Sequence, residues 1–551
     1  MNEIFKPKLF SVLKQGYTWN QFSRDLSAGI IVGIVALPLS IAFAVASGVS
    51  PEKGLITAII AGFIISLLGG SRVQIGGPTG AFIIIVFGIV SQYGTDGLII
   101  STIMAGIMLI VFGFLRLGSL LKYIPHPLIV GFTSGIALVI FSTQIKDAFG
   151  LQIDALPSEF TGKWSIYFQV IGSINPIAAA ITVCTIIISL WVNKMTNKIP
   201  GTFVAIVLMT AIVSIFQLPV TTIETSFGDI PRHFSMTIPS IDFGDLQYYL
   251  KPALTIALLG AIESLLSAVV SDGMISGNHR SNTELIAQGC ANVITPLFGG
   301  IPATGAIART ATNVKNGGRT PIAGIVHAVT LLLIMLFFAQ WAKLIPMSCL
   351  AGILILVAYN MSEWRSFHSI LKGSLFDMII LVSTFLLTVL VDLTVAIEIG
   401  IVLAALMFMK RMADNGQAFL YDKDSDMIEN YKDIPKEIAI YEISGPFFFA
   451  AARRYSELLK GLSNSNRILI IRMRHVPFID ATGAHNFIGA IHLLKSKDKR
   501  IMLSGVRPDV RKELDNSGIT ALLSEENIFD NFDIALTAAK KSVLEIETSS
   551  S

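Results

Sequence analysis

The sequence predicts an α-helical polytopic membrane protein with a small α/β domain at its C-terminus, and three observations carry that reading. From Ala28 to Met409 apolar runs alternate with short polar loops, and a spanning helix needs roughly 20 apolar residues. Charge is scarce: of 551 residues 53% are hydrophobic and 14% charged, with a mean hydropathy of +0.68, where a soluble protein would be about a quarter charged. After Lys410 the composition returns to that of ordinary soluble protein.

The N-terminus is polar and mildly basic (Lys6, Lys8, Lys14, Arg24), and the apolar run after it continues too far for the core of a cleaved signal peptide. Long candidate spans are Ala28–Ser47, Leu55–Leu68, Ile99–Leu115, Leu128–Ser142, Ile177–Val192, Thr202–Phe216, Ala253–Val270, Pro321–Phe338, Leu350–Ala358, Met378–Val391 and Val395–Met409. Other segments are short or broken by Gly and Pro, so hydropathy supports about eleven to fourteen crossings. Basic residues mark Arg24, Arg116 with Lys122, Lys194 with Lys198, Arg280, Lys315 with Arg319, Arg365 with Lys372, and Lys410 with Arg411. The long 218–250 connection has only Arg232, and 151–173 only Lys163. The excess of Lys and Arg on cytoplasmic loops then places both termini in the cytoplasm, with an even number of crossings.

Two broken segments match each other. Gly76-Gly77-Pro78-Thr79-Gly80-Ala81 and Gly299-Gly300-Ile301-Pro302-Ala303-Thr304-Gly305-Ala306 both read Gly-Gly, then Pro, then Thr-Gly-Ala, and each leads into a short apolar segment. Gly/Pro-broken helices at corresponding positions of two halves point to an inverted-repeat secondary transporter. Half-helix N-termini present unpaired backbone N–H groups and the positive end of the helix dipole, which suit an anion. The plainer alternative is a pair of glycine-rich turns.

Beyond Lys410 a polar stretch precedes alternating strands and helices: strand 437–444, helix 452–462, strand 467–473, helix 482–494, strand 500–504 and helix 531–543. That alternation predicts a small α/β domain. The chain divides into an N-terminal segment 1–24, a membrane domain 25–412, a linker 413–435, the α/β domain 436–545 and a disordered tail 546–551.

Few residues can carry chemistry. Glu263 lies inside an otherwise uncharged span, where a carboxylate costs about 2.5–3.5 kcal/mol, so it is expected to face a polar cavity. Ser267 and Ser271 follow at i+4 and i+8 on the same stripe. Arg309 falls in the first turns after Thr304-Gly305-Ala306, where a guanidinium adds to the partial charge of a helix N-terminus; it can also be read as a boundary arginine ahead of Lys315 and Arg319. Ser281-Asn282-Thr283-Glu284 reads as a helix capping box, and Asp377, Asp392 and Glu398 as boundary or cap residues. The eight histidines form no metal-binding pattern, and Cys184, Cys290 and Cys349, each in an apolar stretch, fit buried hydrophobes. Thr161-Gly162-Lys163-Trp164 lacks the upstream Gly and following Ser/Thr of a P-loop. A net charge of +3 without a basic, aromatic-rich cluster excludes a nucleic-acid partner. No cofactor, metal or enzymatic chemistry is expected.

Further motifs make the chain resemble the SulP family of anion transporters. These are Leu37-Pro38-Leu39-Ser40-Ile41-Ala42-Phe43-Ala44, Val130-Gly131-Phe132-Thr133-Ser134-Gly135, Asn282-Thr283-Glu284-Leu285 and Gly317-Gly318-Arg319-Thr320, together with 76–81. Val476-Pro477-Phe478-Ile479-Asp480-Ala481-Thr482-Gly483 is similar to the hallmark of the STAS domain that ends such transporters. The resemblance covers 19–543. It implies about fourteen helices in two inverted repeats of seven, with the anion between two half-helices. By match of motif, Phe43, Thr79, Gly80, Ala81, Gly305, Ala306, Ile307 and Arg309 are expected to bind substrate, with Glu263 and Ser267 taking part in coupling to H+ or Na+. Sulfate-type members often have Gln at the position of Leu39. Bicarbonate-type members, which share Pro-Leu here, tend to have Asp and a sodium site where this chain has Glu263. Thr482, just before the Gly of the STAS motif, matches a position phosphorylated in soluble STAS proteins and is a candidate phosphosite; helix N-capping by Asp480 or Thr482 is the structural alternative.

The expected function is secondary active transport of a small oxyanion, sulfate or bicarbonate, by elevator-like alternating access in the inner membrane. The expected assembly is a homodimer, with a cytoplasmic partner for the STAS domain. Rivals are a passive anion channel, a dicarboxylate transporter and a signalling protein with a STAS output; a nucleobase permease shares the architecture, but the STAS-like domain argues against it. A reporter fused after Ser551 is expected to be active in the cytoplasm and silent in the periplasm; the reverse result would break the even-crossing topology.

Overall fold

The computed structural model describes residues 5–119, 125–153, 156–157, 159–195, 200–228, 236, 239, 246–391, 393–415, 417–420, 434–450 and 466–550. The chain separates into two units, Met1–Ile401 and Val402–Ser551. In the first, α1 (Lys8–Lys14) and α2 (Trp19–Ala46) lead into α3 (Pro51–Leu68), then β1 (Gly76–Gly77) and, after a 3-10 turn at Gly80–Phe82, α4 (Ile83–Phe114). Then come α5 (His126–Phe149), α6 (Phe160–Gln169), α7 (Pro176–Met195), α8 (Gly201–Phe216), α9 (Ile223–Phe227), α10 (Leu246–Ile275) and α11 (Ser281–Ile294). The last part runs through β2 (Thr304–Gly305), α12 (Ile307–Lys315), α13 (Pro321–Ala342), α14 (Met347–Met361), α15 (Trp364–Leu371), α16 (Leu375–Leu390) and α17 (Leu393–Asn415).

Every long apolar run of the sequence falls on one of these helices, and among the described residues eight helices are long and apolar enough to cross a membrane. Helix α2 begins nine residues before its apolar run because Thr18 and Gln21 form a capping box: the Thr18 hydroxyl accepts from the Gln21 N–H at 3.3 Å and the Gln21 side chain from the Thr18 N–H at 2.9 Å. Helix α4 is broken at Gly94, whose φ of 70° no helix accommodates, so the first part of α4 is a separate short helix.

The helices form two groups. Helices α2, α3 and α4 pack against α10, α11, α12 and α13; α5 and α7 pack against α8, α14 and α16. Each group is drawn together by glycines four apart. On α2, a Cβ at Gly29 would lie 2.5 Å from the Ala323 carbonyl of α13 and one at Gly33 2.8 Å from Thr330. On α5, a Cβ at Gly131 would lie 2.5 Å from the Leu381 carbonyl of α16 and one at Gly135 2.6 Å from Thr388. Without a hydrophobic drive between helices in lipid, such backbone approach supplies the van der Waals contact that holds a pair.

At the centre, β1 and β2 pair antiparallel, Gly76 with Gly305 and Gly77 with Thr304. Side chains from neighbouring helices hold the approach to each strand. The Thr57 hydroxyl of α3 accepts from the Ile301 N–H at 2.7 Å, and Asn292 of α11 bonds both N–H and C=O of Ala303 at 2.8 Å. The buried Glu284 carboxylate accepts from the N–H groups of Gly70 (2.8 Å) and Ser71 (3.0 Å) and from Gln288 (3.0 Å). This corrects the capping-box reading of 281–284. Arg280, not Ser281, is the N-cap of α11, without a side-chain cap bond, and Glu284 turns inward to serve the 70–71 loop, whose donors have no other partner at that depth. Asp377 does act at a cap, with the Ser374 hydroxyl accepting from its N–H at 3.2 Å. Glu398 is exposed within α17, and Asp392 lies outside the described residues.

In the second unit β3 (Gln417–Leu420), β4 (Ile438–Ser444), β5 (Ile468–His475), β6 (Arg500–Ser504) and β7 (Ile528–Phe529) form one sheet in that order, with β4 to β7 parallel and β3 antiparallel at the edge. Alternate residues of β4 enter two cores. Ala439, Tyr441 and Ile443 join the face covered by the helix Ala481–Lys495, while Ile438 and Ile440 join the face covered by Phe532–Ser550. The strands at 437–444, 467–473 and 500–504 and the helices at 482–494 and 531–543 are found, and the helix expected at 452–462 lies outside the described residues. Three differences stand out. Strand β3 occupies part of the stretch read as a linker; four residues in polar sequence are too short to show an alternation. The short helices Pro508–Asn516 and Ile519–Leu523 and strand β7 fill the interval left blank after 504. The tail expected to be disordered over 546–551 continues as helix to Ser550, since no Gly or Pro stops it.

Replacing Glu284 by Ala leaves two buried N–H groups unpaired and is expected to destabilise the membrane unit by about 3 kcal/mol, with Glu284→Gln milder. Melting curves of the purified protein in detergent check this order.

Candidate functional site

Each glycine strand turns directly into a helix. Thr79, with an extended backbone, precedes the turn at Gly80–Phe82 that opens α4, and Ala306 precedes α12; neither end has a side-chain cap. The antiparallel pairing therefore brings two helix starts together from opposite directions, with their first N–H groups free of intrahelical partners. A cavity of about 970 Å³ reaches this point; it is lined by Phe43, Thr79, Gly80, Ala81, Glu263, Ala306, Ile307 and Arg309, with Leu39, Ile353, Val357 and Met361 as an apolar wall. Its other end runs past Lys315, Asn316, Asn193, Thr202 and Glu363.

Arg309 is 1% exposed. One terminal nitrogen, Nη2, donates to the Pro78 carbonyl, while Nη1 has no partner among the described residues. The Thr79 hydroxyl is likewise buried and unpaired. Gly77 makes room for the guanidinium: its φ is 148°, and a Cβ there would lie 2.5 Å from Arg309 Nη1. Around these groups buried polar side chains tie the crossing to α10 and α12. The Gln74 amide donates to the Ser264 hydroxyl at 2.9 Å, the Thr304 hydroxyl to the Gly260 carbonyl at 2.9 Å, and the Asn313 amide to the Val73 carbonyl at 2.8 Å. The Ile75 N–H donates to the Thr310 hydroxyl at 3.0 Å. The result is a rigid, low-dielectric site offering a guanidinium, a hydroxyl and two helix starts, an arrangement suited to a small oxyanion.

Of the residues named from the sequence, Phe43, Thr79, Gly80, Ala81, Ala306, Ile307, Arg309 and Glu263 share this cavity. Gly305 and Ser267 do not. Gly305 belongs to the strand crossing, where a Cβ would lie 1.5 Å from Gln74 Nε2, and the Ser267 hydroxyl donates to Thr310 at 3.2 Å behind the site. Glu263 does not pair with Arg309 among the described residues, and a second carboxylate, Glu363, lines the same cavity. Glu363 was missed: it follows α14 with a left-handed backbone, φ 42°, which no sequence pattern marks. Gln74, Ser264, Thr310 and Asn313 were missed too. For the last two a signal existed, since polar residues at 309, 310 and 313 mark one face of α12.

In the second unit Asp480 caps its helix, accepting from the Gly483 N–H at 2.6 Å and from the Phe449 N–H at 3.0 Å. Gly483 is needed because a Cβ would lie 2.2 Å from the Phe447 carbonyl. Thr482 is exposed in the first turn of that helix.

Residues 22–384 match the sulfate permease family and residues 431–535 the STAS domain. The putative sulfate transporter YvdB of Bacillus subtilis is 41% identical over 95% of this chain and 99% of its own. The bicarbonate transporter BicA of Picosynechococcus is 30% identical over 89% and 90%. The murine Slc26a9 anion transporter in the inward-facing state shares the fold with a TM-score of 0.87, at 17% identity over 97% of this chain and 94% of its own. The helical unit with its glycine crossing, the sheet unit that follows it in sequence and these matches together make the chain a multi-pass membrane protein of the sulfate permease family of anion transporters, with a STAS domain after the helical unit, and not an enzyme.

Proposed function

We propose that this protein is a secondary active transporter of a small oxyanion, sulfate in the first instance and bicarbonate in the second, working by elevator-like alternating access. The observation that carries the reading is the cavity ending on two opposed helix starts and the unpaired Nη1 of Arg309. The relatives named for sulfate and bicarbonate support the choice of anion. Backbone N–H groups of both half-helices, the Thr79 hydroxyl and Arg309 would bind the anion, with Phe43 closing one side. Movement of the α2–α4 and α10–α13 group past the α5–α8 and α14–α17 group would carry the site from one face to the other. Glu263, in the same cavity, would couple transport by taking up a proton or ligating sodium. The protein would sit in the inner membrane as a homodimer, both termini cytoplasmic, with the STAS domain, and Thr482 on its surface, open to a cytoplasmic partner or kinase.

Two variants in proteoliposomes test this. A carboxylate at Ala306 stands where an anion is expected, so Ala306→Asp should weaken binding of radiolabelled sulfate or bicarbonate at least about tenfold; unchanged affinity in folded protein would move the site elsewhere. Glu263→Gln should still bind anion but lose uptake driven by an inward proton gradient. A wild type indifferent to pH and dependent on sodium would reject the proton version, normal transport by Glu263→Gln under every gradient would make this carboxylate structural, and uptake that never exceeds equilibrium under any gradient would favour a channel.

A further inference from the structure

Lys163 is a cation that the transport reading leaves unused. It lies on α6, the helix between the end of α5 and the start of α7, whereas the cavity opens past Asn193 at the other end of α7. Lys163 is therefore at the closed end of the bundle. It is 1% exposed, and its helix is pinned to α5 by two bonds to Ser142, from Trp164 Nε1 at 3.2 Å and from the Tyr167 hydroxyl at 2.8 Å. Among the described residues no carboxylate pairs with it and no acceptor bonds it; its ammonium lies 5.9 Å from the centre of the Phe87 ring. A buried ammonium is normally paired, because taking the charge from water costs several kcal/mol that an opposite charge must offset. A ring face returns only about 0.5–2 kcal/mol.

Phe87 connects this lysine to the anion site. It lies on the short helix that starts at Thr79–Ala81, about two turns beyond Ala81, and is not among the residues that line the cavity. Its ring is seated against the turn after α2, where a Cβ on Gly48 would lie 3.2 Å from it. Phe87 belongs to the α2–α4 group and Lys163 to the α5–α7 group, so their contact bridges the two groups at the end where the cavity is shut.

We propose that Lys163 is a second anion-binding position at the closed end of the bundle, covered here by Phe87, which receives a small inorganic oxyanion entering from that face and passes it to the Thr79–Arg309 site when the two helix groups separate. The proposal rests on the alternating-access reading above. An unpaired cation on the entry path raises the local anion concentration and lowers the apparent KM on one face only, without touching the inner site. The ring that shields it keeps the ammonium from holding an anion when that face is closed.

The test is initial-rate uptake of radiolabelled sulfate and bicarbonate by the full chain in proteoliposomes, measured from each face. The α6 face is assigned by labelling Phe168→Cys with a membrane-impermeant thiol reagent, in a chain whose three native cysteines are replaced. Lys163→Gln should raise KM from the α6 face about fivefold, with kcat and the KM from the opposite face unchanged, and Lys163→Arg should restore the wild-type value. A KM from the α6 face equal to wild type, or an equal rise on both faces, would overturn the proposal alone. Wild-type protein without saturable uptake from either face would overturn the transport reading and the proposal with it. Thiol reactivity gives a second readout independent of Lys163→Gln: Lys163→Cys should be protected from the impermeant reagent and become reactive with Phe87→Ala added, whereas equal reactivity in both backgrounds would reject Phe87 as the cover.

Discussion

Two strands of glycine-rich backbone pairing antiparallel at the middle of a helical membrane unit is the constraint on which the remaining structure depends. Non-helical backbone at membrane depth is tolerated only where protein or a water-filled cavity satisfies it. Thr57, Glu284 and Asn292 serve the chain that approaches the crossing, and Gln74, Thr304, Thr310 and Asn313 serve the crossing itself. The donors left over, at the starts of α4 and α12, face the cavity. One requirement therefore produces both the dense buried polar layer and the helix starts left open to the cavity: the same bonds that fix the crossing determine which N–H groups remain without an intrahelical partner.

Glycine does a second, different job in the helices. Gly29 and Gly33 let α2 meet α13, and Gly131 and Gly135 let α5 meet α16, with backbone rather than side chains in contact. Close approach within each group contrasts with the side-chain contacts between groups, where Phe43, Ile353 and Met361 line an open cavity and the Lys163 ammonium lies 5.9 Å from the centre of the Phe87 ring. Packing tight within a group and looser between groups suits rigid bodies that slide past each other, because interdigitated backbone transmits displacement while side-chain contacts can exchange. The STAS unit has no such division: a parallel sheet covered on both faces, with Asp480 and Gly483 fixing the start of one covering helix.

Most of the architecture was legible because the signals are local. Long apolar runs, the Gly-Gly-Pro and Thr-Gly-Ala pairs, and the strand–helix alternation after Lys410 each declare their element without help from the tertiary structure. The cavity-lining residues were legible in part for the same reason, since half-helix starts are written in Gly and Pro. Glu284 misled because its position three residues after Ser281 fits a capping box, yet the donors at Gly70 and Ser71, 214 and 213 residues away in sequence, compete for it more strongly. Glu363 and Lys163 could not be found because their significance lies in what they face across helix groups.

The sequence by itself determined the membrane class, the two-part organisation and most of the residue types at the inner end of the cavity, because hydropathy and broken-helix motifs depend on nothing distant. Only the tertiary structure decided which polar groups are consumed and which are left over. Ser267 and Gly305 are absorbed into the crossing, Arg309 keeps one nitrogen unpaired, and Lys163 is left a buried cation without a carboxylate among the described residues. The physical reason is that satisfaction of a hydrogen bond or a charge is a property of pairs, and in this fold the partners come from opposite halves of the chain.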